Sequence, residues 1–474
     1  MTTETSSVMV EIGHLIRRAR QAQETIERYT QQQVDALTTA VAWSVVRQDR
    51  AEALAKLAVD EGGFGNYPDK VTKIRNRVMG TLADIASVKT VGVVEEIPEQ
   101  GLIKIAKPVG VVAALIPTTG PDATPPLKTL LALKGRNAII IAAHPRTQKT
   151  TALAVQYMRE ACRQVGAPAD LVQAVDNPSL PKTQELMRQA DLIVATGGEG
   201  MVKAAYSSGT PAYGVGVGNS VHVVDETADL EDAAKAITAA KTFDYATSCL
   251  ADNALVVAAR VYEELTASLE ANGAYVCKPD EKAALQKLMW PEPGSSTLSL
   301  AIIAKPAAEI AHMARLSIPT DRRFLIVEED GVGPDHPFSG EKLSVVLALY
   351  RYEGSIENAV RLVNAITHYQ GRGHTCGIHT RSEEHVMALA HGTKTGRVLV
   401  NQNLNEGAGS PRNELPYTLS LNCGGTATRA LQAGRRTCYT QEAYDLKGAG
   451  NLVDCGAAIH LRGHAGDRRS APRH

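Results

Sequence analysis

Apolar residues recur at helical spacing twice within residues 8–61. Val10, Ile12, Leu15 and Ile16 share one face of a first segment, and Leu37, Val41, Val45, Leu54 and Leu57 one face of a second, so two amphipathic helices are expected on the outside of a domain. The period then changes: VGVVEEIPEQGLIKIAKPVGVVAALIP (91–117) predicts a hairpin turning at 98–101 and a buried strand at 109–115. From there short apolar runs at 138–143, 171–175, 192–195 and 221–224 alternate with helical segments at 124–133, 150–165, 201–207 and 230–241. That alternation implies a parallel, doubly wound sheet. A second α/β block is expected from residue 242, with helices around 261–272 and 281–289 and strands at 324–328, 345–352 and 398–401. The cleft between the two blocks is the expected ligand site. Beyond residue 424 periodicity is lost, and QAGRRTCYTQ and HLRGHAGDRRSAPRH read as irregular or disordered. The chain thus divides into 1–241, 242–424 and an atypical tail, 425–474.

Composition narrows the function classes. With 474 residues, 44% of them hydrophobic, the chain can bury a large core. Lys and Arg number 50 against 51 acidic residues, a formal net charge of −1, so nothing global attracts nucleic acid or an anionic membrane surface. Aromatic residues at 4% leave no stacking platform for single-stranded nucleic acid. The N-terminal MTTETSSVMVEIGHLIRRAR has no apolar signal core, and no apolar run approaches the roughly 20 residues that span a bilayer, so the cytoplasm is the expected compartment. Seven cysteines without CxxC spacing argue for reduced thiols, and against a disulfide framework or a metal site.

One of these thiols stands out by its context. Cys249 lies in FDYATSCLADNALVV (243–257), where a nucleotide-binding half is expected to end, whereas Cys162, Cys277, Cys376, Cys423, Cys438 and Cys455 are expected simply to pack. Upstream, DLIVATGGEGMVKAAYSSG (191–209) reads as strand, glycine loop and helix. Gly197, Gly198 and Gly200 could let backbone amides face a phosphate or a nicotinamide ring, or could only make the turn. YGVGVGNS (213–220) alternates Gly with Val, as a tightly packed strand also would. AAHPRTQKTT (142–151) sets His144, Arg146 and Lys149 just past the C-terminal end of a strand, where open α/β sheets bind ligands. FSGEKLS (338–344) contains Glu341, and GRGHTCGIHT (371–380) contains His374.

These segments, with IPTTGPDATPPLKTLLALKGRNAIIIAAHPR (116–146), occur in an order and at spacings that resemble the CoA-acylating aldehyde dehydrogenases over roughly residues 10–424. The ATGG(x)GMVKAAYSSG and HPR segments are typical of the acylating branch. PTTGPDATPP, in place of the commoner PTTNP, is most similar to members that act on sulfoacetaldehyde, with acetaldehyde and succinate semialdehyde as alternatives. The fold implied is aldehyde dehydrogenase-like: two doubly wound α/β domains with a cleft between them and a small oligomerisation arm, in a homo-oligomer. The mechanism implied is attack of Cys249 on the aldehyde, hydride transfer to NAD or NADP, and capture of the thioester by CoA. His374 is the implied base or CoA-side group, and Thr119 an oxyanion donor with the Cys249 amide. Pro117, Thr118, His144, Arg146, Thr196, Gly197, Gly198, Gly218 and Glu341 are the implied cofactor contacts, Glu341 on the nicotinamide ribose. Matching the Glu-Leu-Gly-Gly segment of hydrolytic relatives to GVGVGNS puts Val215 where their water-activating glutamate stands, which favours thiolysis. AAHPRTQK offers cations and no carboxylate, so NADP is expected to be at least tolerated. Arg412, in EGAGSPRNELPYTLS, is the expected partner of a substrate sulfonate. A nucleotide-binding protein that kept this fold and lost activity is the reading from another class.

Overall fold

The computed structural model describes residues 3–100, 102–292, 297–421 and 458–460. Four helices come first: α1 (Thr3–Glu27), α2 (Gln31–Val46), α3 (Gln48–Gly62) and α4 (Tyr67–Ala86). The stretch expected as two helices holds three, because Arg47, at φ −51° and ψ 141°, breaks the second in two. Helix α4 has no counterpart in the sequence reading, although its start signals are present: Asn66 caps it by accepting from the Asp69 amide, and Pro68 sits in the first turn. Its buried Ile74, Val78, Thr81 and Ile85 are spaced along one face. Strands β1 (Gly92–Ile97) and β2 (Leu102–Ala106) form the expected antiparallel hairpin, with Ile97 opposite Leu102.

The first sheet holds β3 (Val111–Leu115), β4 (Ala138–Ala142), β5 (Val172–Ala174), β6 (Leu192–Thr196) and β7 (Ala212–Val215), all parallel, in the order β5-β4-β3-β6-β7. Its crossovers carry α5 (Thr124–Lys134), α6 (Gln148–Gln164), α7 (Leu180–Gln189) and α8 (Glu199–Tyr206). Every residue of β3 and β4 is buried, which is why these strands read as unbroken apolar runs. The order steps outward from β3 on one side and from β6 on the other. A switch point therefore lies between them, where doubly wound sheets bind ligands at the strands' carboxyl ends.

The second sheet holds β8 (Val221–Val224), β9 (Ala254–Ala258), β10 (Ala274–Val276), β11 (Phe324–Glu328), β12 (Val346–Tyr352), β13 (Thr375–His379), β14 (Arg397–Val400) and β15 (Ala458–His460). All are parallel, in the order β10-β11-β12-β9-β8-β13-β14-β15. Helices α9 (Leu230–Thr242), α10 (Tyr262–Ala271), α11 (Pro279–Met289), α12 (Ala307–Met313), α13 (Ile356–Tyr369) and α14 (Glu383–Gly392) accompany it. Two expectations are corrected here. Residues 221–224, assigned to the first block, pair with β9 and β13, so sheet membership changes between Val215 and Val221 and not at residue 242. A four-residue buried strand fits either sheet, and only its neighbours decide which. In the tail, 458–460 pairs with β14 as an edge strand, and the remainder of the expectation for 425–474 lies outside the described residues. Each sheet is the centre of its own large apolar cluster. No helix among the described residues is long and apolar enough to cross a membrane.

Candidate active site

Four neighbouring strands of the second sheet, β12, β9, β8 and β13, begin side by side, and the residues leading into them converge. Ser220 immediately precedes β8, His374 immediately precedes β13, and Cys249 and Glu341 sit in the loops entering β9 and β12. Facing them are the carboxyl ends of β3, β4, β6 and β7 from the first sheet. A cavity of about 510 Å³ fills the space between, lined from the first sheet by Pro117, Thr118, Thr119, His144, Thr196, Gly197, Gly198 and Val215 and from the second by Cys249 and Glu341. The cleft expected between the two blocks is this cavity.

Cys249 is half-buried at the cavity wall, while Cys162, Cys277 and Cys376 are buried. Burial raises their thiols to about 12, about 12 and about 11 respectively, which leaves them inert as nucleophiles. Cys423, Cys438 and Cys455 lie outside the described residues. His374 is wholly buried behind Cys249, with Nε2 3.2 Å from Sγ and Nδ1 3.2 Å from the Ser220 hydroxyl oxygen. Ser220 donates its one proton to the Cys249 carbonyl at 2.9 Å, so its oxygen accepts from Nδ1–H. The neutral ring then presents an unprotonated Nε2 to the thiol, the tautomer that can take the thiol proton. Gly218 keeps this contact open: a Cβ there would stand 2.5 Å from Cys249 Cβ and 3.0 Å from His374 Nε2.

The segment that carries Cys249 is held in an unusual backbone. Asp244, Tyr245 and Ala246 have φ of 49°, 50° and 60°, consecutive left-handed residues that need outside support. Asp244 supplies it, accepting from the Asn66 amide at 2.9 Å, Lys70 Nζ at 3.1 Å, Lys73 Nζ at 3.0 Å and the Thr247 hydroxyl at 2.7 Å. Helix α4 thereby fixes the loop that carries Cys249. Burial alone would raise the Asp244 carboxyl, but Lys73 and Lys70 outweigh it and hold its pKa below the usual range.

Glu341 accepts the Gly218 amide proton at 3.1 Å, and its own amide donates to Gln370 at 2.9 Å. Although the cavity leaves part of its surface open, desolvation and then the neighbouring Cys249 push its pKa well above the carboxylate range. Lys342 is turned away, donating to the carbonyls of Phe338 and Gly340 at 2.6 and 2.8 Å. The backbone at Gly197 and Gly198, at the N-terminus of α8, borders open space: a Cβ at Gly198 would meet nothing within 4 Å. A planar ring or a pyrophosphate fits against such a surface.

Other expected residues fall differently. His144 accepts the Arg146 amide proton at 3.1 Å, and Arg146 lies outside the cavity with its guanidinium 4.9 Å from the Phe64 ring centroid. The absence of a carboxylate near this loop does not survive folding, since Glu61 from α3 accepts from the Lys149 and Thr150 amides at 2.7 and 2.8 Å. Arg412 is exposed, ion-paired with Glu406 and not part of the cavity wall. Helix α4 instead brings Lys73 and Arg77 to that wall. Ser220, Asp244 and Arg77 were not singled out in the sequence, because their roles exist only through partners far along the chain.

The chain matches the sequence model of the aldehyde dehydrogenase family over residues 3–283. It is 43% identical over 411 residues to the sulfoacetaldehyde dehydrogenase (acylating) of Bilophila wadsworthia, covering 86% of this chain and 88% of that protein. Its structure superposes on an acetylating aldehyde dehydrogenase from Geobacillus thermoglucosidasius with a TM-score of 0.84 and 38% identity, over 90% of this chain and 93% of that one. It also superposes on the Rhodopseudomonas palustris propionaldehyde dehydrogenase, solved with bound CoA and an acylated cysteine, with a TM-score of 0.81 and 26% identity over 90% and 95% of the two chains. The chain belongs to the aldehyde dehydrogenase family. Within it, the chain is an acylating aldehyde dehydrogenase, an oxidoreductase.

Proposed function

We propose that the protein oxidises sulfoacetaldehyde to sulfoacetyl-CoA, with NAD or NADP as hydride acceptor and Cys249 as the covalent carrier. The observation that carries this reading is the Cys249–His374–Ser220 chain at the wall of a cavity where Val215 replaces a water-activating carboxylate. The 43% identity to an enzyme named for sulfoacetaldehyde supports the choice of substrate. His374 Nε2 takes the thiol proton, and the sulfur of Cys249 adds to the aldehyde carbon to give a thiohemiacetal. Thr119 and the Cys249 amide hold the oxygen on which charge develops. Bound NAD(P) supplies the acceptor for the hydride that leaves this carbon as the thioester forms. Glu341 would hold the nicotinamide ribose, the residues 196–198 and Gly218 the ring, Pro117 and Thr118 its flank, and His144 and Arg146 the adenosine end. His374 gives up the proton it took from Cys249, the one released in the overall oxidation, before it takes the proton of the CoA thiol; the CoA sulfur then attacks the thioester carbon, and the departing Cys249 thiolate is reprotonated by His374.

Water fails to compete because Val215 offers no base where hydrolytic relatives carry their water-activating glutamate. Formation of NADH and NADPH should therefore require CoA and proceed fastest with sulfoacetaldehyde in a panel containing acetaldehyde and succinate semialdehyde. Turnover without CoA would make the enzyme hydrolytic, and faster turnover of acetaldehyde would remove the proposed substrate.

The β1–β2 hairpin projects as an arm with Leu102, Ile103 and Ile105 exposed by 49, 63 and 53%. Such an apolar edge supports a homo-oligomer assembled through the arm. Replacing Ile103 and Ile105 with glutamate should shift the sedimentation coefficient towards the monomer's; an unchanged oligomer would place the interface elsewhere.

A further inference from the structure

Helix α4 presents two cations to the cavity, Lys73 and, one turn on, Arg77. Lys73 is neutralised by Asp122 at 3.1 Å and Asp244 at 3.0 Å. Arg77 is not: among the described residues its guanidinium donates to the Asn405 carbonyl at 2.8 Å and to that of Gly409, and lies 5.9 Å from the Tyr417 ring centroid, with no carboxylate in ion-pair contact. The acidic groups of this region are engaged elsewhere, Asp84 by the Tyr417 amide and Glu406 by Arg412. A second buried arginine, Arg397, stands near enough that the charge on Arg77 adds to burial in lowering its pKa, and it too donates to a carbonyl, that of Gly407. Among the described residues this wall therefore carries excess positive charge answered by backbone carbonyls and the Tyr417 ring and by no carboxylate. Burying a cation without a counter-charge is costly, and here the cost falls beside the substrate cavity.

Arg77 is also tied to the nucleophile. The carbonyls it engages belong to the 405–409 loop, and Ala408 of that loop packs with Leu250 and Cys249 in one apolar cluster. Asn405 and Ala408 line the same cavity as Cys249. Two carbonyls occupy only part of the guanidinium's five-donor fork, and the remaining N–H groups suit the oxygens of a sulfonate.

We infer that Arg77 is the specificity-determining residue that binds the anionic tail of the aldehyde, a sulfonate one carbon removed from the reacting carbonyl. This assignment rests on the sulfoacetaldehyde reading above. Its test is the ratio of kcat/KM for sulfoacetaldehyde to that for acetaldehyde, measured with the KM for CoA in wild type, Arg77→Met and Arg77→Lys. Arg77→Met should lower the ratio of kcat/KM for sulfoacetaldehyde to that for acetaldehyde by about 100-fold or more and leave the KM for CoA unaltered. Arg77→Lys, which keeps the charge and loses the fork, should cost sulfoacetaldehyde about tenfold. Equal losses on both aldehydes, or a loss expressed in the KM for CoA, would overturn the assignment. If Arg77→Met does not fold, the same ratio in Arg77→Lys decides. Wild-type enzyme that ignores sulfoacetaldehyde removes the substrate reading itself, whereas wild type that prefers it while both variants keep its ratio removes only the role of Arg77.

Discussion

Cys249→Ala should abolish NAD(P)H formation with every aldehyde, with or without CoA, by at least about 10⁴-fold, because no other described thiol can take its place. Cys162, Cys277 and Cys376 are buried with raised pKa values, and none lines the cavity. The substitution removes one sulfur from a half-buried position, so the unfolding midpoint and the affinity for NAD(P) should stay close to wild type. Mass spectrometry of wild type mixed with aldehyde and NAD(P), but no CoA, should show an acyl adduct on the Cys249 peptide alone. An adduct that persists in Cys249→Ala, or CoA-dependent turnover retained there, would place the nucleophile elsewhere. His374→Ala should fall less far, by about 10²- to 10⁴-fold, since it removes a proton acceptor and not the bond-forming atom.

Asp244→Ala should destabilise the fold by about 3–5 kcal/mol, the usual penalty for stripping one partner from a buried ion pair. Lys70 and Asp244 each have side chains exposed by only 1%, and Lys73 by 10%, so the lysines cannot turn to water when the carboxylate goes. Asp122 would then face both lysines alone. Because the folded pKa of Asp244 lies below its unfolded value, its contribution is present above the unfolded carboxylate range and is lost as pH falls through the folded pKa. Wild type should therefore lose more stability than the variant on acidification. Urea unfolding of both proteins at neutral pH and near pH 3 measures this; a loss below about 1 kcal/mol at neutral pH would mean that the two lysines shed their protons at little cost. Activity should fall as well, since Asp244 supports the left-handed turn that carries Cys249.

Much of this architecture was legible along the chain. The buried strands β3, β4 and β6 read as apolar runs because both faces of a parallel sheet are covered, and the β1–β2 turn announced itself through Pro98 and Gly101. Helix α4 is legible too, since its cap and apolar spacing are local signals. Strand β8 was not assignable, because a four-residue buried run says that it lies in a sheet but not in which one. That Arg412 is paired with Glu406 and stands off the cavity wall was not assignable for a similar reason, since position in a loop says nothing about the partner that folding brings to it. Glu61 likewise reaches the basic loop at 146–150 only across a helix packing contact.

The sequence by itself determined the parallel α/β alternation, the thiol at position 249 and the loops at 116–120 and 196–198, because each is a property of residue type and near-neighbour spacing. Only the tertiary structure decided that Ser220 sets the His374 tautomer, that Asp244 anchors the loop carrying Cys249 to α4, and that Arg77 and not Arg412 faces the cavity. Those are relations between groups brought together from separate elements, and their energies depend on distance, burial and the charges already present, none of which the order of residues along a chain contains.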